Sequence, residues 1–166
     1  MSSPPLRFRD PQKTKYDFLG LILVRCPACA GPARVVRSPG DQGPSLFVPR
    51  RLTCGGCGTA RRWAGNVVPL HRAGGGAVRE PYFGAPLWLQ TETRHGWLWA
   101  YNPEHLELVR RFVQASLRER APWYEHGRKM TVVGRLPAWV KRAKNREEIL
   151  RAIGRMPDVT PGARRG

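Results

Sequence analysis

Cys26-Pro-Ala-Cys29 and Cys54-Gly-Gly-Cys57-Gly58 decide how this chain folds. They contain all 4 cysteines of the 166 residues. Each C-x-x-C turn offers two thiolates to one ion, so the two turns together complete a closed tetrahedral Cys₄ site. Pro27 stiffens the first turn. Gly55, Gly56 and Gly58 let the second curl until backbone amides face the sulfurs and stabilise their charge. Two disulfides do not suit the reduced compartment that the cysteine usage and the lack of a secretory leader indicate. A thioredoxin-like site needs one pair and a βαβ pattern, which is missing. An iron–sulfur cluster also takes four cysteines, but glycine-rich turns favour a mononuclear ion. Four thiolates leave no open position for a substrate, so one structural zinc is expected, held by Cys26, Cys29, Cys54 and Cys57.

The two turns resemble the zinc knuckles of zinc-ribbon proteins, including transcription factor IIB-type ribbons, over about residues 18–70. That resemblance implies zinc and a role in binding DNA, RNA, a polymerase or another protein. Ala30 stands where ribbons usually carry glycine, and the gap of residues 30–53 between the pairs is longer than the common spacing. The turn-rich segment Ser38-Pro-Gly-Asp-Gln-Gly-Pro-Ser45 accounts for the extra length. The C-terminal half resembles uncharacterised bacterial proteins and carries no activity with it.

Working outward, Phe18-Leu-Gly-Leu-Ile-Leu-Val24 reads as a buried strand leading into the first turn. It is the longest apolar run and far too short to span a bilayer, which needs about 20 residues, so no membrane partner is expected. Ala33–Arg37 and Leu46–Thr53 flank the Pro/Gly cluster as a hairpin, and Thr59–Trp63 adds a third strand. Ala73-Gly-Gly-Gly76 breaks the pattern as a linker. Pro86–Thr91 and Gly96–Tyr101 form a second hairpin. Asn102, Pro103 and Glu104 are N-cap, first-turn proline and first-turn anion of a helix over 103–120, stopped by Pro122. Its apolar face is Leu106, Val109, Val113 and Leu117, and the alternating Trp97, Trp99 and Tyr101 are expected as the floor beneath it. A further helix starts near Pro137, and Asn145 with Glu148 resembles a capping arrangement. The expected organisation is α+β: a flexible basic arm over 1–17, a zinc ribbon of antiparallel β over 18–72, a hairpin with two to three short helices over 80–156, and a disordered tail over 157–166.

Charge bears on partners. Lys+Arg number 29 against 12 Asp+Glu, a net charge of +17 and a pI near 11.2. Arginine dominance alone reflects codon usage in GC-rich genomes. Residues 1–72 carry +9 and 122–166 carry +7, whereas 73–121 carry only +1, and uniform codon bias does not produce that neutral middle. Polyanions are the favoured partners, nucleic acid first and DNA ahead of RNA. Arg50, Arg51, Arg61 and Arg62 bracket the second turn beside Trp63, an arrangement in which guanidinium groups hold phosphates and an indole stacks a base. A solvated strand face with Trp63 in a small core is the equal alternative. Lys141, Arg142, Lys144 and Arg146 form a second basic cluster at a helix junction that faintly resembles helix-turn-helix geometry.

Catalytic chemistry is not recommended by any pattern. His71, His95, His105 and His126 are scattered, and a histidine near a helix start such as His105 reads as a cap or surface residue. Gly74-Gly-Gly76 lacks the lysine of a phosphate loop, and Glu147-Glu148 is helix N-terminal charge. The reading is therefore a cytoplasmic, non-enzymatic zinc ribbon that binds nucleic acid. The alternatives are a protein–protein adaptor for a polymerase, helicase or other partner, and an accessory subunit of a nucleic-acid-processing enzyme.

Overall fold

The structure, a computed structural model, describes residues 4–40, 46–65, 76–119 and 130–158. After a short first strand, β1 (Arg7–Arg9), β-branched and aliphatic runs make the main sheet. Its strands are β2 (Leu21–Arg25), β3 (Pro32–Arg37), β4 (Arg50–Thr53) and β5 (Ala60–Trp63). They pair in that order and are antiparallel throughout. Period-two alternation gives the sheet two different faces. Ile22, Val24, Ala33, Val35 and Leu52 are buried on one face in a core completed by Tyr82, Ala85 and Leu87. On the other face Leu23 enters a second core, and arginines occupy the strands beyond it.

The second core lies among a hairpin of β6 (Leu89–Thr93) and β7 (Gly96–Ala100), α1 (Pro103–Gln114), α2 (Ala138–Lys141) and α3 (Arg146–Gly154). Asn102 caps α1 as its sequence requires. Its side chain accepts the His105 amide at 2.9 Å, and its Nδ2 donates to Phe18 O and Leu21 O, both at 2.9 Å. One side chain thus ties the helix start to the strand entry. Leu108, Val109, Phe112 and Val113 are the buried face of α1, each worth roughly 1.5–3 kcal/mol of burial.

The mixed α+β content is as expected, and several details differ. Residues 4–17 are not a loose arm: β1 pairs in parallel with β8 (Leu117–Glu119), and Phe8 is 3% exposed against Phe112. A buried aromatic outweighs the Pro-rich composition around it. The helix stops at Gln114 rather than 120 because β1 supplies a strand partner for 117–119. Arg146 closes that end, with Nε donating to Val113 O and Nη2 to Ala115 O, both at 3.0 Å. Asn145 makes no side-chain cap for α3; it is buried and donates to Trp139 O at 2.8 Å. Leu98 and Ala100 are the buried β7 residues that share the core with α1, because alternation turns Trp97 and Trp99 to the opposite face; Tyr101 packs against that core, and with Trp99 it meets His105 at the start of α1.

The two cores are not separate domains. The Leu23 amide donates to Tyr101 O at 2.8 Å, the Trp88 amide donates to Leu23 O at 2.9 Å, and the Arg25 amide donates to Pro86 O at 2.8 Å. Strand β2 therefore belongs to both. The hairpin tip at 41–45, the linker at 73–75, His71, His126, Pro122 and the tail beyond 158 lie outside the described residues.

Candidate metal centre and basic sheet face

The four cysteines come together at the end of the sheet where β2 leads out into the first turn and β4 into the second. Cys26 Sγ lies 3.6 Å from Cys57 Sγ, Cys29 Sγ lies 3.6 Å from Cys54 Sγ, and all four sulfurs are within 4.8 Å of one another. All four are free thiols. Metal–sulfur bonds near 2.3 Å in a tetrahedron put sulfurs about 3.8 Å apart. The cluster has the spacing and the donor set of a single structural metal site.

The turns that build it follow one hydrogen-bond plan. In the first, Cys26 N donates to Gly31 O at 2.7 Å and Ala30 N donates to Cys26 O at 2.9 Å. In the second, Cys54 N donates to Thr59 O at 2.9 Å and Gly58 N donates to Cys54 O at 3.0 Å. Each plan folds a four-residue loop so that both thiols leave on the same side. The Cys29 amide, with the Ala28 amide behind it, holds the Cys26 thiol down at about 6, and Ala28 N reaches that sulfur at 3.4 Å. Thr59 lowers Cys57 with both its hydroxyl, 3.1 Å from the sulfur, and its amide. At Cys29 the Gly31 amide pulls down, but the neighbouring Cys57 and Cys54 sulfurs and burial outweigh it and push the thiol up to about 12. Four crowded thiols cannot all ionise alone; a dication makes the fully ionised state favourable.

The basic residues separate into two groups. Arg51 and Arg62 are directly paired across β4 and β5, exposed, on the sheet face opposite the cysteine-side core. Arg34, which the sequence reading missed, is exposed on the same face of β3, diagonal to Arg51. Its signal was available: it lies two residues from Val36, which stands opposite Arg51. Arg61 is exposed on the edge strand, facing the other way. Arg142 and Lys144 are exposed between α2 and α3.

Four expected contacts are corrected. Arg50 is 1% exposed; its guanidinium sits 4.5 Å from the Tyr82 ring centroid and Nη1 donates to Leu19 O. It lies on the core side, where Tyr82 rests on Glu80, a buried carboxylate that accepts the Tyr82, Phe83 and Ala85 amides. Lys141 donates to Gly134 O at 2.6 Å, and Arg146 serves the end of α1, so both act inside the fold. Trp63 is half-buried, edge-on to Tyr82 with centroids 4.9 Å apart, which makes it part of the sheet's core. His105 belongs to the cap of α1, its amide donating to Asn102 Oδ1 and its Nδ1 accepting the Tyr101 amide, but it is not at the surface: it is 4% exposed and stacked on Phe18.

Comparison with known protein families, characterised proteins and solved structures gave no match to this chain. No helix among the described residues is long and apolar enough to cross a membrane.

Proposed function

We propose that this protein is a non-enzymatic zinc ribbon that binds nucleic acid, DNA ahead of RNA, across the arginine face of its sheet. The observation that carries the reading is the register setting Arg51 directly opposite Arg62, with Arg34 on the same face. Like charges directly opposite one another weaken a sheet, and a polyanion laid across the face turns that repulsion into attraction. Arg34, Arg51 and Arg62 have no ion-pair partner among the described residues. Between Phe18 and Arg79 the sequence holds a single acidic residue, Asp41. Zinc is the ion favoured by four thiolates on two tight turns with amides directed at sulfur. It fixes the end of the sheet and so the spacing of the arginines. Arg61, Arg142 and Lys144 add exposed positive charge; Arg50, Lys141, Arg146 and Trp63 are committed to the fold and drop out of the binding surface.

The test is a titration of the full chain, its metal content measured, with random duplex and single-stranded DNA at several salt concentrations. Log affinity is expected to fall linearly with log salt. Reversing Arg34, Arg51 and Arg62 to glutamate should weaken binding equally across sequences. It should also flatten the slope by about one unit for each phosphate no longer neutralised. A native protein without affinity at physiological salt would replace this reading with the adaptor.

A further inference from the structure

The aromatic stripe of β7 opens onto a cavity beside the first turn of α1, where Trp99 and Tyr101 meet His105. Trp97, Trp99 and Tyr101, with Trp139 of α2, line a pocket of about 310 Å³. That is the small end of ligand sites, ~300–1,000 Å³, and suits one nucleotide rather than a dinucleotide. Trp99 meets Tyr101 edge-on at 5.0 Å, and none of the rings of Trp97, Trp99 and Tyr101 is stacked flat on a neighbour among the described residues, whereas Trp139 stacks on His95 with centroids 5.5 Å apart. Trp97 Nε1 is buried without a hydrogen-bond partner.

His105 lines the same pocket. Its Nδ1 accepts the Tyr101 amide at 3.1 Å. Burial holds the ring's pKa at about 4, so the ring is neutral and carries its proton on Nε2. That N–H has no partner among the described residues. The remaining charged lining residues are Lys15 and Arg135, the latter already engaged within the fold, with Nη2 donating to Met130 Sδ at 3.7 Å, and no carboxylate lines the pocket among the described residues. Two cations rule against an alkylammonium guest, which aromatic cages otherwise suit. They favour a planar ring that bears an anion and has an acceptor for the His105 N–H.

The geometry points to a site for one nucleotide unit: its base lies among Trp97, Trp99 and Trp139 with a ring acceptor toward His105, and its phosphate meets Lys15 and Arg135. Stacking on indoles tolerates any base, whereas the cations require the phosphate. This site is distinct from the arginine face, and its probe is a free mononucleotide, so either reading can fail alone.

The experiment is calorimetric titration of the full metal-loaded chain with the four nucleoside 5′-monophosphates and with adenosine. Saturable binding of at least one monophosphate is expected, with adenosine at least tenfold weaker than its monophosphate. Arg135→Glu and Lys15→Glu should each cost the monophosphate tenfold and leave adenosine within twofold. Trp97→Ala should weaken both ligands tenfold or more, and Trp97→Phe, which keeps a ring in place, should recover most of that loss. Displacement of the mononucleotide by a 5′-phosphorylated tetranucleotide would identify the unit as part of a strand; failure to displace it would identify a free nucleotide. No saturation by any monophosphate at millimolar concentration, or adenosine binding as tightly as its monophosphate, would overturn the proposal.

Discussion

Ala30 and Gly58 hold the same place in the two cysteine turns. Each follows the second cysteine of its pair, each is left-handed (φ 60° and 75°), and each donates its amide to the carbonyl of the first cysteine. The left-handed conformation comes free to glycine and costs an alanine about 1–2 kcal/mol, because Cβ crowds the following carbonyl. The turn plan is therefore imposed on Ala30 against its own preference. A Cβ placed on Gly58 would meet nothing within 4 Å, so the second turn's glycine is needed for its backbone alone.

The first prediction follows directly. Ala30→Gly should stabilise the metal-loaded protein by about 1 kcal/mol, and Gly58→Ala should destabilise it by a similar amount. Urea unfolding of the two variants at fixed zinc concentration would read both. No difference between Ala30→Gly and the native chain would mean that the first turn relaxes away from the left-handed form.

Removing the metal should unfold more than the sheet. Ion binding is folding free energy for the cysteine turns, and β2, which leads into the first of them, is hydrogen-bonded to Tyr101 and Trp88 beside the second core. Chelation should therefore lower the helical circular dichroism together with the metal content, in one transition. Helical signal that survives full metal loss would show that the hairpin and helices fold on their own.

Arg50 and Arg51 are neighbours with opposite fates, and substitution should separate them. Arg51→Glu faces solvent and exchanges a like-charge pair with Arg62 for an opposite one, so it should stabilise slightly, by about 0.2–1 kcal/mol. Arg50→Met loses a buried stacking interaction on Tyr82 and a charged hydrogen bond to Leu19 O, a cost of about 2–4 kcal/mol. Equal stability of the two variants would contradict the assigned faces of β4.

His105 makes stability depend on pH. In the fold its pKa is lowered to about 4 from an ordinary 6.5 because the ring is buried. The unfolded chain therefore takes up a proton that the folded chain refuses as pH falls through that window. The contribution is fully present above about pH 6.5 and lost by about pH 4, roughly 3 kcal/mol in all. Denaturant midpoints of the native chain and His105→Gln, compared from pH 7 to 4, isolate it from acid effects on the cysteines. Parallel curves would exclude the neutral buried histidine.

Arg146→Ala should destabilise by about 1–3 kcal/mol, through loss of its bonds to Val113 O and Ala115 O at the end of α1. It should leave the affinity for DNA at the sheet face unchanged once folding is matched. A drop in DNA affinity equal to that of Arg51→Glu would return Arg146 to the phosphate-binding residues.

The sequence by itself determined what depends on neighbours along the chain. The two C-x-x-C turns, the strands beside them, the second hairpin and the Asn102 cap are all set by local spacing, turn residues and short-range hydrogen bonds. So was the excess of positive charge, which no packing can change. Tertiary structure decided which face each residue presents, because strand alternation assigns two faces without saying which one is covered. It buried Arg50 against Tyr82 and left Arg51 outside, and it turned Leu98 and Ala100 toward α1 while Trp97 and Trp99 came to line a pocket. It also drew the N-terminal Phe8 into a core built mostly from residues of the second hairpin and the helices. Those contacts depend on residues distant in sequence, and neither composition nor periodicity encodes them.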